Sequence, residues 1–222
     1  FFTENATKGT HRFGDYFKVS HVVATLLNEA YVLKEEDYEE TEQGFLCKGH
    51  HIEKDMVRDT ATPRSLRYKK KKKIIFPYTY ENGHLAGFDE RVFESTYPET
   101  AAYLNDFREK LDKRQKDKSA KWYEYGRSQA LEGLDDDKLL ISTVITDKVA
   151  VYRLTKSCIP YAGMYVVCCD DNSEYTLEDA MRILESRDFR QYVLDVGIHI
   201  SGSSLRITSR DVEDYKFQEE SY

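Results

Sequence analysis

The chain has 222 residues and a formal net charge of −7; 40% of its residues are hydrophobic and 33% are charged. This composition indicates a globular protein with a proper core and excludes a disordered chain. No apolar run reaches the length of a membrane span and no signal peptide is recognisable, so we expect a cytoplasmic protein. Because the chain opens on Phe1-Phe2 rather than Met, we expect it to be a C-terminal fragment of a longer polypeptide.

The charges are segregated along the chain. Acidic residues cluster at positions 35–40, 135–137 and 219–220, whereas basic residues gather from Arg58 to Lys73 and from Lys110 to Lys121. An acidic protein can still bind phosphates when its basic residues share one face. The net charge therefore does not exclude a nucleic-acid partner.

Cysteine spacing gives no sign of a metal centre. The four cysteines, at positions 47, 158, 168 and 169, form no C-x-x-C pair, and no second ligand pair accompanies His50-His51. We expect reduced thiols in a cytoplasmic environment and no bound metal.

The first third of the chain is predicted to be rich in strands. Residues 17–33 predict a strand, a turn at Asn28-Glu29 and a second strand, and residues 44–47 predict another. The acidic residues 34–42 between them predict a solvated loop or sheet edge. Residues 51–58 predict one short helical turn.

A lysine run, residues 69–73, leads into a strand over residues 74–78, which is followed by a hairpin turn at Glu81-Asn82-Gly83. With Arg67 beside it, the run is a candidate phosphate-contacting surface. The basic residues concerned are Arg67, Lys69, Lys70, Lys71, Lys72 and Lys73. The alternative is an ordinary solvated charge run.

The remaining elements alternate between helices and strands. Pro98 and Glu99 open a predicted helix with apolar residues at helical spacing to Leu111 and a basic C-terminal end. Strands are predicted over residues 139–144, 149–154 and 161–169. A capping box from Thr176 to Asp179 then opens the second main helix.

Residues 197–207 are glycine- and serine-rich and predict a loop. Its small residues would let main-chain N–H groups approach a sugar-phosphate backbone, so Ser203 and Arg206 are candidate phosphate contacts. A plain turn without a ligand explains the same residues.

The most unusual stretch is Lys121-Trp122-Tyr123-Glu124-Tyr125-Gly126-Arg127-Ser128-Gln129. Arg127, Ser128 and Gln129 can reach base edges, while Trp122, Tyr123 and Tyr125 would shape a contact surface and Lys118 and Lys121 would hold phosphates. The alternative is a structural segment whose aromatic side chains are core and whose Arg127 pairs with Glu124 or Glu132.

Four stretches together resemble the C-terminal target-recognition domain of TaqI-like adenine-N6 DNA methyltransferases, a group that includes type IIG restriction-modification enzymes. The resemblance runs from about Phe17 to Phe217. The four stretches are residues 22–25 with 30–33, Ile52-Glu53 with residues 73–78, residues 97–111 followed by 122–129, and residues 176–215. The third stretch is the most specific part.

The resemblance implies that residues 1–222 form one DNA target-recognition domain that reads double-stranded DNA. It also implies an upstream methyltransferase domain in the same chain, which would use S-adenosylmethionine and receive the flipped adenine. The Asn-Pro-Pro-aromatic catalytic motif and the glycine-rich cofactor motif are absent from this sequence. We therefore expect this chain to be non-catalytic and to bind no cofactor itself, although its parent can carry an endonuclease activity.

The predicted fold class is α+β, with mixed, mostly antiparallel sheets and two main helices in one or two lobes. Two other functions remain open. One is a protein-interaction module with the aromatic stretch as its contact patch. The other is a nuclease lobe in which the acidic run Asp135-Asp136-Asp137 holds magnesium.

Overall fold

The computed structural model describes residues 10–219, which form two compact units. The first unit contains residues 10–21, 137–154 and 163–219, and the second contains residues 22–136 and 155–162. Each unit combines short helices with mostly antiparallel sheets. The α+β class predicted from the sequence is confirmed.

Short strands and helices follow one another throughout residues 10–219. The strands are β1 His11–Arg12, β2 Phe17–His21, β3 Val32–Lys34, β4 Tyr38–Glu40, β5 Gly44–Cys47, β6 His50–Glu53, β7 Val57–Ala61, β8 Lys72–Ile75, β9 Tyr78–Glu81, β10 His84–Gly87, β11 Lys138–Ile141, β12 Val144–Ile145, β13 Val151–Leu154, β14 Ile159–Pro160, β15 Met164–Cys168, β16 Ile198–Ser201, β17 Ser204–Arg206 and β18 Lys216–Phe217. The helices are α1 Asn28–Tyr31, α2 Pro63–Arg67, α3 Glu90–Thr96, α4 Pro98–Asn105, α5 Arg108–Asp112, α6 Leu177–Glu185, α7 Arg187–Val196 and α8 Ser209–Asp214.

The first unit is built on an antiparallel sheet of strand order β13-β11-β15-β2. Helices α6 and α7 bury Ile183, Leu184 and Phe189 in the same core cluster as Leu139 and Val166 of this sheet. The predicted capping box is confirmed, because the Thr176 hydroxyl accepts from the Asp179 N–H at 3.2 Å and the Asp179 carboxylate accepts from the Thr176 N–H at 2.8 Å. These bonds pair N–H groups that the first turn of a helix otherwise leaves unpaired.

The second unit carries a sheet of order β14-β7-β8-β3, in which only the β14–β7 pair is parallel, and a smaller sheet of order β4-β5-β6. Strands β9 and β10 form the predicted hairpin. Asn82 and Gly83 both have positive φ, of 53° and 80°. This conformation is the one that a two-residue Asn-Gly hairpin turn requires.

The short helical turn predicted within residues 51–58 is present as a 3-10 turn at Lys54–Met56, and the residues on either side of it belong to β6 and β7. Two other local predictions are wrong. The helix predicted from Pro98 to Leu111 is divided into α4 and α5, and α3 precedes it. Residues 197–207, predicted as a loop, form the β16–β17 hairpin around Gly202.

None of the helices within residues 10–219 combines the length and the apolar character that crossing a membrane demands.

Candidate nucleic-acid interface

The three aromatic side chains of the central stretch lie in the core of the second unit. Trp122, Tyr123 and Tyr125 are only 7%, 0% and 1% exposed. The prediction that these rings form an exposed contact surface is therefore wrong, and the alternative that they are core residues is confirmed. The physical reason is their apolar area, which is worth more inside a unit than against water.

Each ring is also held in a fixed orientation. The Tyr125 hydroxyl donates to the Ile75 carbonyl oxygen at 2.6 Å, and the Tyr125 N–H donates to the Tyr78 hydroxyl at 2.8 Å. The Trp122 Nε1–H donates to Glu90 at 2.8 Å. Because the polar tip of each aromatic side chain finds a partner, burying it carries no unpaired polar group.

Burial also fixes the protonation state of the tyrosines. Desolvation raises the pKa of Tyr125 well above its ordinary value, and it raises the pKa of Tyr78 and Tyr31 as well. All three hydroxyls therefore keep their proton to a higher pH than an exposed tyrosine does. The Tyr31 hydroxyl donates to two carbonyl oxygens of the central stretch, those of Tyr123 at 2.9 Å and Glu124 at 3.0 Å.

Gly126 allows two backbone segments to meet. Its N–H donates to the Thr25 carbonyl at 3.2 Å, and the Arg127 N–H donates to the Ala24 carbonyl at 3.1 Å. A Cβ atom at position 126 would lie 2.4 Å from the Leu26 Cδ1 atom, closer than real side-chain atoms come. The glycine is needed for this close approach rather than for a positive φ.

Arg114 is the residue that holds this region together. Its guanidinium donates to the carbonyl oxygens of Trp122 at 3.1 Å, of Glu124 at 3.0 Å and of Thr25. It also lies 5.7 Å from the centre of the Tyr31 ring. By sequence, Arg114 is one charge in the basic C-terminal end of the helix predicted from Pro98. What distinguishes it from the neighbouring lysines is the guanidinium, which can donate several hydrogen bonds at once.

The next three residues along the chain, Arg127, Ser128 and Gln129, are all exposed. The Arg127 guanidinium pairs with Asp117 at 2.8 Å and keeps 48% of its side chain exposed. The other Asp117 oxygen accepts from the Ser128 N–H at 3.1 Å. The predicted pairing of Arg127 with Glu124 or Glu132 is replaced by this pairing with Asp117.

The ion pair with Asp117 leaves part of the Arg127 guanidinium available to a ligand. The Arg127 guanidinium has five N–H donors, and an ion pair with one carboxylate oxygen does not use all of them. The hydrogen bond from Arg127, followed by that from the Ser128 N–H, holds the pKa of Asp117 below its ordinary value. Asp117 is therefore ionised at neutral pH, and it holds the Arg127 guanidinium and the Ser128 main chain in place.

The lysine run divides into free and engaged side chains. Lys69, Lys70 and Lys71 are exposed, and within residues 10–219 none of them forms an ion pair. Lys72 instead donates to the Tyr161 hydroxyl at 2.7 Å, and Lys73 pairs with Asp59 at 2.8 Å. Their predicted role in phosphate binding stays a prediction, and the free cations are concentrated in the first part of the run.

The other predicted phosphate contacts are divided between the two units. Lys118 and Arg67 are exposed in the second unit, whereas the Lys121 ammonium already donates to the Phe88 carbonyl oxygen. Ser203 and Arg206 belong to the first unit, where both are exposed on the β16–β17 hairpin. Their roles stay predictions.

In the acidic run of the nuclease alternative, Asp135 and Asp136 belong to the second unit and Asp137 belongs to the first. Asp135 is 3.5 Å from the Lys156 ammonium. Across the described residues, 10–219, no group of three or more histidine, cysteine, aspartate or glutamate side chains is placed to hold a metal ion.

No family model matches this sequence, and no curated protein matches it. The fold, however, is that of part of a restriction-modification enzyme. The chain is similar to MmeI, a Type IIL restriction-modification enzyme solved in complex with DNA, with a TM-score of 0.60 at 13% sequence identity. The match covers 96% of this chain and 26% of the MmeI chain, so this chain spans about a quarter of that enzyme.

Proposed function

We propose that this chain is a target-recognition domain that reads a double-stranded DNA sequence for a restriction-modification enzyme. The observation that carries the proposal is the exposed segment from Arg127 to Gln129. Asp117 binds Arg127 and Ser128, and Gly126 and the buried aromatic rings precede the segment in the chain. Selective recognition needs a rigidly held side chain, because a loosely held one fits several patterns of nucleic-acid bases. The MmeI complex supports this proposal through the shared fold.

In this proposal Arg127 and Gln129 contact base edges in the major groove. Arginine binds the O6 and N7 atoms of guanine in a bidentate fashion, and glutamine does the same for N6 and N7 of adenine. Ser128 adds a hydroxyl that can contact either. The exposed cations Arg67, Lys69, Lys70, Lys71 and Lys118 would contact phosphates and set the register on the duplex.

The first experiment is selection from a randomised duplex library at low and at moderate salt, with sequencing of the retained DNA. We expect one short motif to be enriched, and the enrichment to survive added salt. Retention without a motif would leave only phosphate binding. Absence of retention at both salt concentrations would contradict the proposal.

Arg127→Ala tests the base-reading assignment. We expect it to reduce the preference for the selected motif by about 1–3 kcal/mol, because a bidentate base contact discriminates by that amount. Arg182→Ala is a matched control, since Arg182 is also exposed (56% against 48%) and also pairs with one aspartate, Asp179. An unchanged preference in Arg127→Ala, or an equal loss in the control, would refute the assignment.

We further propose that an adenine-N6 methyltransferase domain lies upstream in the same polypeptide and binds S-adenosylmethionine. This part of the proposal rests on the resemblance to TaqI-like and type IIG enzymes. Expression of the complete reading frame, followed by methyl transfer to the selected motif, tests it. Transfer to cytosine, or no transfer, would contradict it.

The protein-interaction alternative loses its predicted patch, because the aromatic rings of the central stretch are buried. It would have to use other exposed apolar side chains, such as Ile198, which is 67% exposed. A protein partner predicts binding that is indifferent to DNA and insensitive to salt. The library selection therefore distinguishes the two functions directly.

A further inference from the structure

A groove of about 710 Å³ opens beside α2 in the second unit. Five basic side chains line it, those of Lys34, Arg64, Lys70, Lys71 and Lys72. Glu35 and Glu36 are the acidic residues of the same lining. The excess of cations over carboxylates makes the groove attractive to an anion with several charges.

Tyr68 lines the same groove and is 59% exposed. Within residues 10–219 it is the only exposed tyrosine, phenylalanine or tryptophan. The Arg67 guanidinium lies 5.8 Å from its ring centre. A large aromatic face surrounded by cations is the combination on which proteins stack the bases of nucleic-acid strands.

The backbone around this ring is fixed at both ends of α2. At the start, the Thr62 hydroxyl accepts from the Ser65 N–H at 2.9 Å, and the Ser65 hydroxyl oxygen accepts from the Thr62 N–H at 2.9 Å. At the end, the Lys70 N–H donates to the Ser65 carbonyl at 2.8 Å across Lys69, whose φ is 52°.

This last bond is that of a Schellman motif, with a lysine where glycine is usual. The left-handed residue reverses the chain so that the residues on either side of it, Tyr68 and Lys70, both line the groove. The ring and the cations are therefore presented together by a short element with capped ends. Little ordering remains to be done when a ligand binds.

We infer that this groove binds an unstacked nucleotide of a DNA strand, with its base against Tyr68 and its phosphates against Arg64, Lys70 and Lys71. Inside a regular duplex both faces of each base are covered by its neighbours. A protein ring stacks only on a base in a single strand, at an end or at a distorted step. This inference rests on the proposed DNA-binding function and adds a site separate from the Arg127 segment.

Fluorescence anisotropy with two labelled strands of equal length, an oligothymidylate and an abasic strand, tests the inference. The two strands carry the same phosphates, but only the first carries bases. We expect the protein to bind the oligothymidylate about tenfold more tightly than the abasic strand, within the range that base stacking on an aromatic ring contributes. Tyr68→Ala should remove this difference, and Tyr68→Phe should keep it.

Several results would overturn the inference. They are equal binding of both strands by the unsubstituted protein, no binding of either, an unchanged difference in Tyr68→Ala, or displacement of the oligothymidylate by heparin as effective as displacement by unlabelled strand. The comparison of strands uses the unsubstituted protein and does not depend on the folding of a variant. The duplex selection with Arg127→Ala is a separate readout, so failure at Tyr68 with success at Arg127 would reject the groove and leave the proposed function standing.

Discussion

At the scale of single residues, the proposed reading segment, residues 127–129, depends on the acidic side chain of Asp117. Asp117 lies among the residues that would face a polyanion, and a carboxylate there repels phosphate. The hydrogen bonds that it accepts from Arg127 and Ser128 explain its presence, because they hold the Arg127 side chain and the Ser128 main chain in place. The repulsion between Asp117 and phosphate lowers the affinity for DNA, and in return the Arg127 side chain is already held in one orientation before DNA binds.

Asp117→Asn is expected to lower the stability of the protein at neutral pH and to have a smaller effect in acid. The folded-state pKa of Asp117 lies below its ordinary value. The carboxylate therefore contributes stability that is present above about pH 4, the ordinary value, and is lost as the pH falls through the lower folded value. Urea unfolding at neutral and at acidic pH measures the difference between the two proteins.

The control for this prediction is Asp136→Asn, since Asp136 is exposed in the acidic turn of the same unit. Asp136→Asn removes a carboxylate without removing the hydrogen bonds to Arg127 and Ser128, so it should leave the free energy of unfolding at neutral pH nearly unchanged. A gap between Asp117→Asn and the unsubstituted protein that stays constant into acid would show that Asp117 does not act through its charge.

At the scale of elements, Arg114 follows α5 and joins three stretches of chain. It donates to Trp122 and Glu124 in the central stretch and to Thr25 before α1. Tyr31 of α1 adds a second link to the central stretch through its hydroxyl. The reading segment is therefore supported by hydrogen bonds from elements that are distant in the sequence.

Arg114→Lys is expected to lower the free energy of unfolding by about 2–3 kcal/mol, because one ammonium cannot reach all the carbonyl oxygens that the guanidinium fork reaches, and a hydrogen bond to a charged group contributes about 1.5–3 kcal/mol. The preference for the selected DNA motif should weaken as well, since the backbone that carries Arg127 loses part of its support. Chemical denaturation and the duplex selection measure the two effects.

Lys113→Ala is the neighbouring control, because within residues 10–219 Lys113 pairs with Glu109 alone, at the surface, with 73% of its side chain exposed. Such an ion pair contributes little to stability. Equal stability of Arg114→Lys and the unsubstituted protein would mean that the hydrogen bonds of Arg114 do not support the segment.

Elements whose signal is local could be predicted from the sequence. The capping box at Thr176 and the hairpin turn at Asn82-Gly83 each follow from two or three adjacent residues, and both are present. The extended structure around the turn in residues 51–58, and that of residues 197–207, depends on strand pairing. Strand β6 pairs with its neighbour β5, whereas β7 pairs with β8 and β14, and β17 pairs with β12 as well as β16.

The candidate site shows the same division. The exposure of Arg127 and Gln129 and the need for Gly126 follow from residue type. The burial of Trp122, Tyr123 and Tyr125 and the hydrogen bonds of Arg114 depend on tertiary packing, which a single sequence does not reveal. Composition already favoured a core role for aromatic residues.

At the scale of the whole molecule, an overall charge of −7 must be reconciled with the polyanionic partner that the proposed function requires. Many basic side chains are already paired with carboxylates, among them Lys73, Lys110 and Arg108. The cations available for phosphate are those without such a partner, and Lys70 and Lys71 lie together in the groove beside α2. The long-range field of an acidic protein opposes DNA, so binding should depend on these few contacts, and the slope of its salt dependence should follow their number.

The double variant Lys70→Ala/Lys71→Ala is therefore expected to weaken binding to cognate and random duplexes alike and to reduce the salt slope by about 1–2, since each lost phosphate contact removes about 0.9 from it. Lys73→Ala is the matched control from the same run, because its ammonium is held by Asp59 and has little to offer a phosphate. Binding measured by anisotropy over a series of salt concentrations gives both slopes. If Lys73→Ala flattens the slope per lysine as much as the double variant does, the ion pair does not withhold Lys73 from DNA, and the whole run, rather than its unpaired part, forms the phosphate contact.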